Sequence, residues 1–239
     1  MQVDAVLFDL FDTLLLLDDT EAYYEPCLKK MHKLLVQNGV DVSFDEFQHA
    51  YFDVRDKFYS ESRESLEEPH FNVRVVQTLK KLSYNFEVSD KTVVRATMRF
   101  ADEFMRHVHP DKSAAHVLRK LHQKYKLGLI SNFGIPECGR KLLKMFGLKE
   151  HFDLIVISAE VNQRKPSPKI FKNALQKLGV DASRAVFVGD MVDLDVKGPQ
   201  SVGMKTILIN RRPNREDFLA NPDMKVRSLN ELLKVLEDC

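Results

Sequence analysis

Five short apolar runs, separated by helical patterns, limit what this chain of 239 residues can fold into. The runs are rich in Val, Ile and Leu and do not alternate between apolar and polar residues, which is typical of strands buried on both faces of a parallel sheet. They are residues 3–8, 127–130, 154–157, 185–188 and 206–209. The sequence therefore predicts an α/β fold built on a parallel sheet.

The helical pattern between the third and fourth runs has recognisable ends. Ser167 is a good N-cap residue, Pro168 suits the first helical position, and Gly179 is typical of a helix end. Apolar residues between these signals recur at helical spacing and form one face. The pattern predicts a helix that packs on the sheet.

Residues 16–106 contain helical patterns only, and they separate the first apolar run from the other four. Ser43 and Glu46, for example, form a capping-box pattern in front of an apolar helix face. A helical block of this length does not fit a single crossover helix. We therefore predict an inserted all-helical cap domain at 16–106, and a core domain formed by 1–15 and 107–239.

The ends of the predicted strands carry polar residues that would converge at one edge of a parallel sheet, where open α/β sheets place reactive groups. Each of these residues alone is ordinary, because Asp often caps a turn and a single lysine is usually solvated. Their order along the chain is harder to ascribe to chance. They are Asp9, Ser131, Asn132, Lys165, Asp190 and Asp195.

Charge and composition narrow the class of function. Lys and Arg number 36 and Asp and Glu number 35, so the net charge of +1 gives no reason to expect nucleic acid or an anionic membrane as a partner. The three cysteines show no metal-ligand spacing, the N-terminus lacks a signal-peptide pattern, and no apolar run reaches the ~18 residues of a membrane helix. We expect a cytoplasmic protein with a small-molecule substrate; the sequence does not indicate its oligomeric state.

The order of these motifs resembles that of the haloacid dehalogenase superfamily, and the resemblance extends over nearly the whole chain. The matching motifs are Phe8-Asp9-Leu10-Phe11-Asp12-Thr13-Leu14, Ile130-Ser131-Asn132, Lys165-Pro166-Ser167-Pro168 and Val188-Gly189-Asp190 through Asp195-Val196. The resemblance implies a Rossmann-like core with three layers around a parallel sheet, and a helical cap of the C1 type.

The resemblance also implies the chemistry of the site. Asp9 would attack the substrate and form an aspartyl ester, Ser131 would hydrogen-bond the transferring group, and Lys165 would hold the Asp9 carboxylate. Mg²⁺ is the implied cofactor, because an all-oxygen site that also touches phosphate suits it. The implied Mg²⁺ ligands are Asp9, Asp190, Asp195 and the backbone carbonyl of Phe11, and the implied substrate contacts are Phe11, Thr13, Ser131, Asn132 and Lys165.

Phe11 is the departure from the family pattern that changes the expected chemistry. In the family's phosphatases the residue two positions after the nucleophile is an aspartate, which protonates the leaving group and later activates water. Phe11 can do neither. Asp12 is one position further on, and in a tight turn its side chain should point elsewhere. The family's haloacid dehalogenases carry an aromatic residue at the same position, since a halide leaves without a proton.

Three interpretations follow. The retained Asp190 and Asp195 favour a hydrolase, a Mg²⁺-dependent phosphatase that acts on a small phosphorylated metabolite through an aspartyl phosphate on Asp9. The first alternative is a 2-haloacid dehalogenase that forms an aspartyl ester. The second is a catalytically weak relative that binds a phosphorylated ligand or a partner protein. The phosphonate-cleaving branch also tolerates a missing acid, but it needs a Schiff-base lysine in the cap that the sequence does not identify.

Overall fold

A parallel sheet forms the centre of the protein in a computed structural model, which describes residues 3–211 and 221–237. Two further strands pair as a separate antiparallel ribbon. The strands are β1 Ala5–Phe8, β2 Leu15–Leu17, β3 Val108–Pro110, β4 Lys126–Ser131, β5 Leu154–Ile157, β6 Ala185–Gly189, β7 Lys205–Ile209 and β8 Met224–Val226.

The six strands of the central sheet lie in the order β5–β4–β1–β6–β7–β8, and every neighbouring pair is parallel. After β1 the chain adds β4 and then β5 on one side of it, and then returns to add β6, β7 and β8 on the other side. The carboxyl ends of β1, β4 and β6 therefore meet at a topological switch point, which is where such sheets bind ligands. The α/β prediction and the five predicted strands are confirmed, whereas β8 and the ribbon of β2 and β3 were not predicted.

Helices cover the sheet. Four others, which lie in the chain order between β1 and the rest of the core, form a separate layer. The helices of that layer are α1 Thr20–Val36, α2 Phe44–Ser65, α3 Phe71–Lys81 and α4 Lys91–Phe104. The core helices are α5 Ala114–Leu121, α6 Pro136–Met145, α7 Ser158–Val161, α8 Pro168–Leu178, α9 Gly198–Gln200 and α10 Leu229–Glu237. The inserted all-helical cap is thus confirmed, while its boundaries at 16–106, with the core at 1–15 and 107–239, stay a prediction.

The helix ends follow the capping residues of the sequence. The Ser43 side chain accepts a hydrogen bond from the backbone of Glu46, whose carboxylate in turn accepts one from the Ser43 backbone, so the capping box is formed. Gly179 ends α8 with a φ of 64°, a conformation that glycine adopts without steric cost. Within the described residues, no helix has the combination of length and apolarity that crossing a membrane requires.

The cap is hydrogen-bonded to the loops that follow the central strands. The backbone N–H of Phe71 donates to the carbonyl oxygen of Gly134, after β4, at 2.8 Å. The backbone N–H of Arg164, in the loop before α8, donates to the carbonyl oxygen of Leu66 at 3.0 Å. The cap is therefore held above the carboxyl ends of the strands, where the predicted site residues lie.

Replacing Ser43 by alanine should lower the free energy of unfolding by about 1 kcal/mol, because the change removes the capping hydrogen bond at the start of α2. Ser60→Ala is the matched control. Ser60 is exposed within the same helix, so its replacement should change stability by less than ~0.5 kcal/mol. Urea unfolding followed by circular dichroism measures both variants. An unfolding free energy of Ser43→Ala equal to that of the wild type would contradict this account of the helix.

Candidate active site

Asp9 lies at the carboxyl end of β1, and hydrogen bonds hold the backbone on both sides of it. Its N–H donates to the carbonyl oxygen of Val188 in β6 at 2.9 Å. The chain then turns back, with the N–H of Leu14 donating to the carbonyl oxygen of Leu10 at 2.9 Å and Asp12 at a φ of 56°. The turn leaves the Asp9 side chain only 11% exposed, at the edge of the sheet.

A buried lysine joins Asp9 to a second carboxylate. Nζ of Lys165 lies 2.6 Å from Oδ1 of Asp9 and 2.6 Å from Oδ1 of Asp195, and Lys165 is 1% exposed. Burial acts to lower the pKa of Lys165, but the two carboxylates outweigh burial and raise that pKa. The lysine therefore stays charged and fixes the orientation of the Asp9 carboxylate.

Asn132, directly after β4, positions Lys165, and Ser131, the last residue of β4, has a hydroxyl group without a partner among the described residues. Oδ1 of Asn132 accepts a hydrogen bond from the backbone N–H of Lys165 at 2.8 Å. Nδ2 of Asn132 donates to the backbone carbonyl oxygen of Lys165 at 2.9 Å. Oγ of Ser131 is buried and has no hydrogen-bond partner among the described residues. Thr13 is fully buried after β1, and its hydroxyl also lacks a partner within that part of the chain. A ligand oxygen that accepted from Ser131 would remove the cost of the unpaired hydroxyl.

Three carboxylates gather at this edge of the sheet. Asp9, Asp190 and Asp195 each bring an oxygen atom to within 4.8 Å of the other two. When all three are ionised, their charge of −3 and the +1 of Lys165 leave an excess of −2. Burial raises the pKa of Asp9 to about 6 against the opposing effect of the lysine, and burial together with the neighbouring carboxylates raises that of Asp190 to about 8. This set of oxygen donors and its excess charge fit a divalent cation such as Mg²⁺.

Asp195 reaches the cluster through an irregular turn. Val192–Lys197 form a short π-helix after β6, and the N–H of Met191 donates to Oδ2 of Asp195 at 3.0 Å. Glycine is required at Gly189, because a Cβ atom there would overlap the Asp195 carboxylate. Both Asp195 oxygens are thus bonded to protein groups, whereas the Asp190 side chain makes no hydrogen bond or ion pair with any described residue. Asp190 is therefore the carboxylate of the cluster most available to a cation.

Phe11 supplies an aromatic ring, and no acid, two positions after Asp9. Its ring centroid lies 4.9 Å from that of Phe133 and 5.7 Å from that of Phe104, so the ring packs against core and cap together. The carboxylate of the next residue, Asp12, binds a backbone group. Oδ1 of Asp12 accepts a hydrogen bond from the N–H of Leu17 at 3.3 Å on the exposed side of the turn.

A cavity of about 300 Å³ lies between the cap and the core. On the core side it is bordered by Phe11, two residues after Asp9, and by Asn132, which is hydrogen-bonded to the backbone of Lys165. The volume is at the lower end of the range for small-molecule sites. Most of the other side chains around it are aromatic. They include Tyr23, Tyr24, Tyr59, Phe71, Phe100 and Phe104.

Three charged residues of the cavity were not identified from the sequence. Arg164 has its Nε 3.4 Å from Oε2 of Glu68, and its Nη1 donates to Oγ of Ser62 at 2.6 Å. Arg74 donates from Nη1 to the hydroxyl oxygen of Tyr51 at 3.4 Å and makes no ion pair with a described carboxylate. Of the three, Arg164 alone has a sequence signal that could have identified it, its position directly before the Lys165-Pro166 motif.

Comparison with known proteins identifies consistent relatives. The chain matches the haloacid dehalogenase-like hydrolase family over residues 3–203. It is 27% identical to a glyceraldehyde 3-phosphate phosphatase of Methanopyrus kandleri, over 99% of this chain and 98% of the relative. The structure of a HAD phosphatase from Thermococcus onnurineus superposes with a TM-score of 0.67 at 29% identity, over 98% of each chain. That of a 2-haloacid dehalogenase from Pseudomonas syringae pv. tomato gives 0.74 at 24% identity, over 99% of each chain, and shows the fold alone.

The family match covers most of the core and the whole helical layer. The six-stranded parallel sheet and the helical insertion after β1 are those that the sequence motifs implied. The match, the fold and the relatives agree, and this chain therefore belongs to the haloacid dehalogenase-like hydrolases and is an enzyme of that family.

Proposed function

We propose that this enzyme is a Mg²⁺-dependent phosphatase that hydrolyses a small phosphorylated metabolite through an aspartyl phosphate on Asp9. The observation that carries the proposal is the carboxylate cluster, whose excess charge of −2 beside Lys165 suits a divalent cation. The unpaired buried hydroxyl of Ser131 suits a phosphoryl oxygen. Relatives in Methanopyrus kandleri and Pyrococcus abyssi are glyceraldehyde 3-phosphate phosphatases, and they support the same class of reaction.

Asp9 supplies the nucleophile in this mechanism. One of its oxygens forms a bond to phosphorus, and the bond from phosphorus to the leaving oxygen breaks with its electron pair on that oxygen. Lys165 holds the carboxylate in line, since its Nζ binds Oδ1 at 2.6 Å, and Ser131 donates to a phosphoryl oxygen. Water then attacks phosphorus, which releases phosphate and restores the Asp9 carboxylate.

The attacking carboxylate and the phosphate ester are both anionic, so the site needs positive charge in addition to Lys165. Asp9, Asp190 and the carbonyl oxygen of Phe11 would hold Mg²⁺, with Asp195 beside them, as the carboxylate distances allow. When bound, Mg²⁺ supplies the charge that offsets the phosphoryl oxygens. Lys165 and Asp195 keep the Asp9 carboxylate in position throughout.

Asp9→Asn should lower the rate of phosphate release from p-nitrophenyl phosphate by more than about 10⁴-fold, because the amide has no anionic oxygen to attack phosphorus. Asp12→Asn is the matched control, since its carboxylate bonds the Leu17 N–H on the exposed side of the same turn. Its rate should stay within a few-fold of the wild type. A fully active Asp9→Asn variant would refute the nucleophile, and no phosphate release by the wild type would favour the weak binding relative.

The dehalogenase alternative has one observation in its favour, the aromatic ring of Phe11 where a phosphatase usually has its acid. Chloride and phosphate release should be assayed in parallel from 2-chloropropionate and p-nitrophenyl phosphate, each with Mg²⁺ and with EDTA. We expect phosphate release that EDTA abolishes and Mg²⁺ restores, since chelation leaves the −2 cluster uncompensated. Chloride release that persists in EDTA would replace the phosphatase proposal by the dehalogenase.

Leaving groups that need no proton should react fastest, because Phe11 cannot protonate the departing oxygen. A general acid is typically worth ~10²–10⁴ in rate, so p-nitrophenyl phosphate should exceed glycerol 2-phosphate in kcat/KM, which includes departure of the leaving group, by at least about 10²-fold. Steady-state kinetics with the two substrates measure the ratio. Equal values of kcat/KM for the aryl and the alkyl ester would contradict this account of Phe11.

Phe11→Asp restores a carboxyl group at the acid position, and it should narrow that aryl-to-alkyl ratio by at least about tenfold. Phe11→Asn is the matched control. Asparagine has the same size as aspartate, and its introduction likewise removes the ring that packs on Phe104 and Phe133. It cannot donate a proton as a carboxylic acid does. If both variants change the ratio equally, the effect comes from loss of the ring and the account of the missing acid is wrong.

A further inference from the structure

The cavity between cap and core carries more positive than negative charge. Among the described residues that line it, the charged ones are Arg74, Arg164 and Glu68, and their formal sum is +1. Glu68 is 8% exposed, and its carboxylate makes its ion pair with Arg164 at 3.4 Å. The second arginine is therefore left without a carboxylate of its own in the described part of the chain.

Arg74 is held by neutral groups. Its guanidinium carbon lies 5.2 Å from the ring centroids of Tyr59 and Phe71, and its Nη1 contacts the Tyr51 hydroxyl at the long distance of 3.4 Å. Its Nε is buried and has no partner among the described residues. A buried guanidinium with an unused donor costs free energy unless an acceptor reaches it. The aromatic faces fix the side chain at the cavity without satisfying its hydrogen-bonding groups.

We propose that the leaving group of the substrate carries a carboxylate, which Arg74 binds together with Arg164, while the body of the leaving group lies against the aromatic side chains next to Phe11. The proposal rests on the proposed phosphatase function and adds the substrate class. A guanidinium binds a carboxylate through two parallel hydrogen bonds, and two arginines on one cavity supply more donors than Glu68 alone accepts.

The charge of the cavity selects a monoanion over a second phosphoryl group. A carboxylate brings the sum of +1 to zero, whereas a phosphoryl group carries about −1.5 to −2 and would leave an excess of negative charge beside the carboxylate cluster. The aromatic walls favour an apolar, flat body over a polyhydroxylated one, since most of the described side chains around the cavity are aromatic rings. The structure thus points to a carboxylated aryl or similarly flat phosphate ester.

The test uses two probes that differ in one charge, 4-carboxyphenyl phosphate and its neutral amide, 4-carbamoylphenyl phosphate. Their binding to the Asp9→Asn variant with Mg²⁺ is measured by isothermal titration calorimetry, so the readout does not depend on turnover. The carboxylate probe should bind at least about tenfold more tightly, the value of one charge-assisted contact. Equal affinities, or no measurable binding of either probe, would overturn the proposal.

Arg74→Met in the same background should bring the affinity ratio of the two probes close to one, and Arg74→Lys should retain part of it. Arg95→Met is the matched control, because Arg95 is an exposed arginine of the cap on α4. It should keep the full ratio. A preference that survives Arg74→Met would show that Arg74 does not bind the carboxylate.

The two proposals fail separately. If the wild type releases no phosphate from either probe while the Asp9→Asn variant still prefers the carboxylate, the phosphatase function is wrong and the role of Arg74 stands. If the wild type hydrolyses both probes with the same kcat/KM and the variant binds them equally, the function stands and the carboxylate site is refuted.

Discussion

The ion pair of Lys165 with Asp9 and Asp195 is the interaction on which the rest of the site depends. An ammonium group that is 1% exposed costs several kcal/mol unless it is paired, so both 2.6 Å contacts are needed. Asp9 and Lys165 are 156 residues apart in the chain, and the strand order β5–β4–β1 brings the loop before α8, which carries Lys165, to the end of β1. Asn132 holds the lysine backbone, and Gly189 leaves room for Asp195. The fold of the core therefore serves to place one oriented carboxylate at the edge of the sheet.

Phe11 connects that carboxylate to the cap. A carboxyl group at this position would give the site an acid, but it would also place a polar group against Phe104 and Phe133. The ring instead belongs to the aromatic side of the cavity, two residues after Asp9. The loss of proton donation and the apolar character of the cavity are thus two results of one residue. In the proposed substrate class, Arg74, which packs on Tyr59 and Phe71 at the same cavity, supplies the charged contact.

The core and its motifs were largely predictable, because they are local patterns. Buried strands read as apolar runs, and Asp9 and Asp190 follow such runs directly, so parallel strands bring them to one edge. The charged part of the cavity was not predictable. Arg74 lies on a cap helix and Arg164 in a core loop. The apolar periodicity of a helix does not determine how that helix is rotated against another element. The short strand β8 was missed because three residues carry too little pattern.

The central claim, that Asp9 becomes phosphorylated, is tested most directly by trapping the intermediate. The wild type is mixed with p-nitrophenyl phosphate and Mg²⁺ and quenched within one turnover. Borohydride then reduces any aspartyl phosphate to homoserine, and mass spectrometry locates it. The account predicts substrate-dependent homoserine at position 9. The aspartyl phosphate should accumulate before the quench, because Phe11 has no carboxylate with which to activate water. Asp12 in the same peptide should stay aspartate. Release of phosphate with position 9 unmodified at every quench time would contradict the account and indicate direct attack by water.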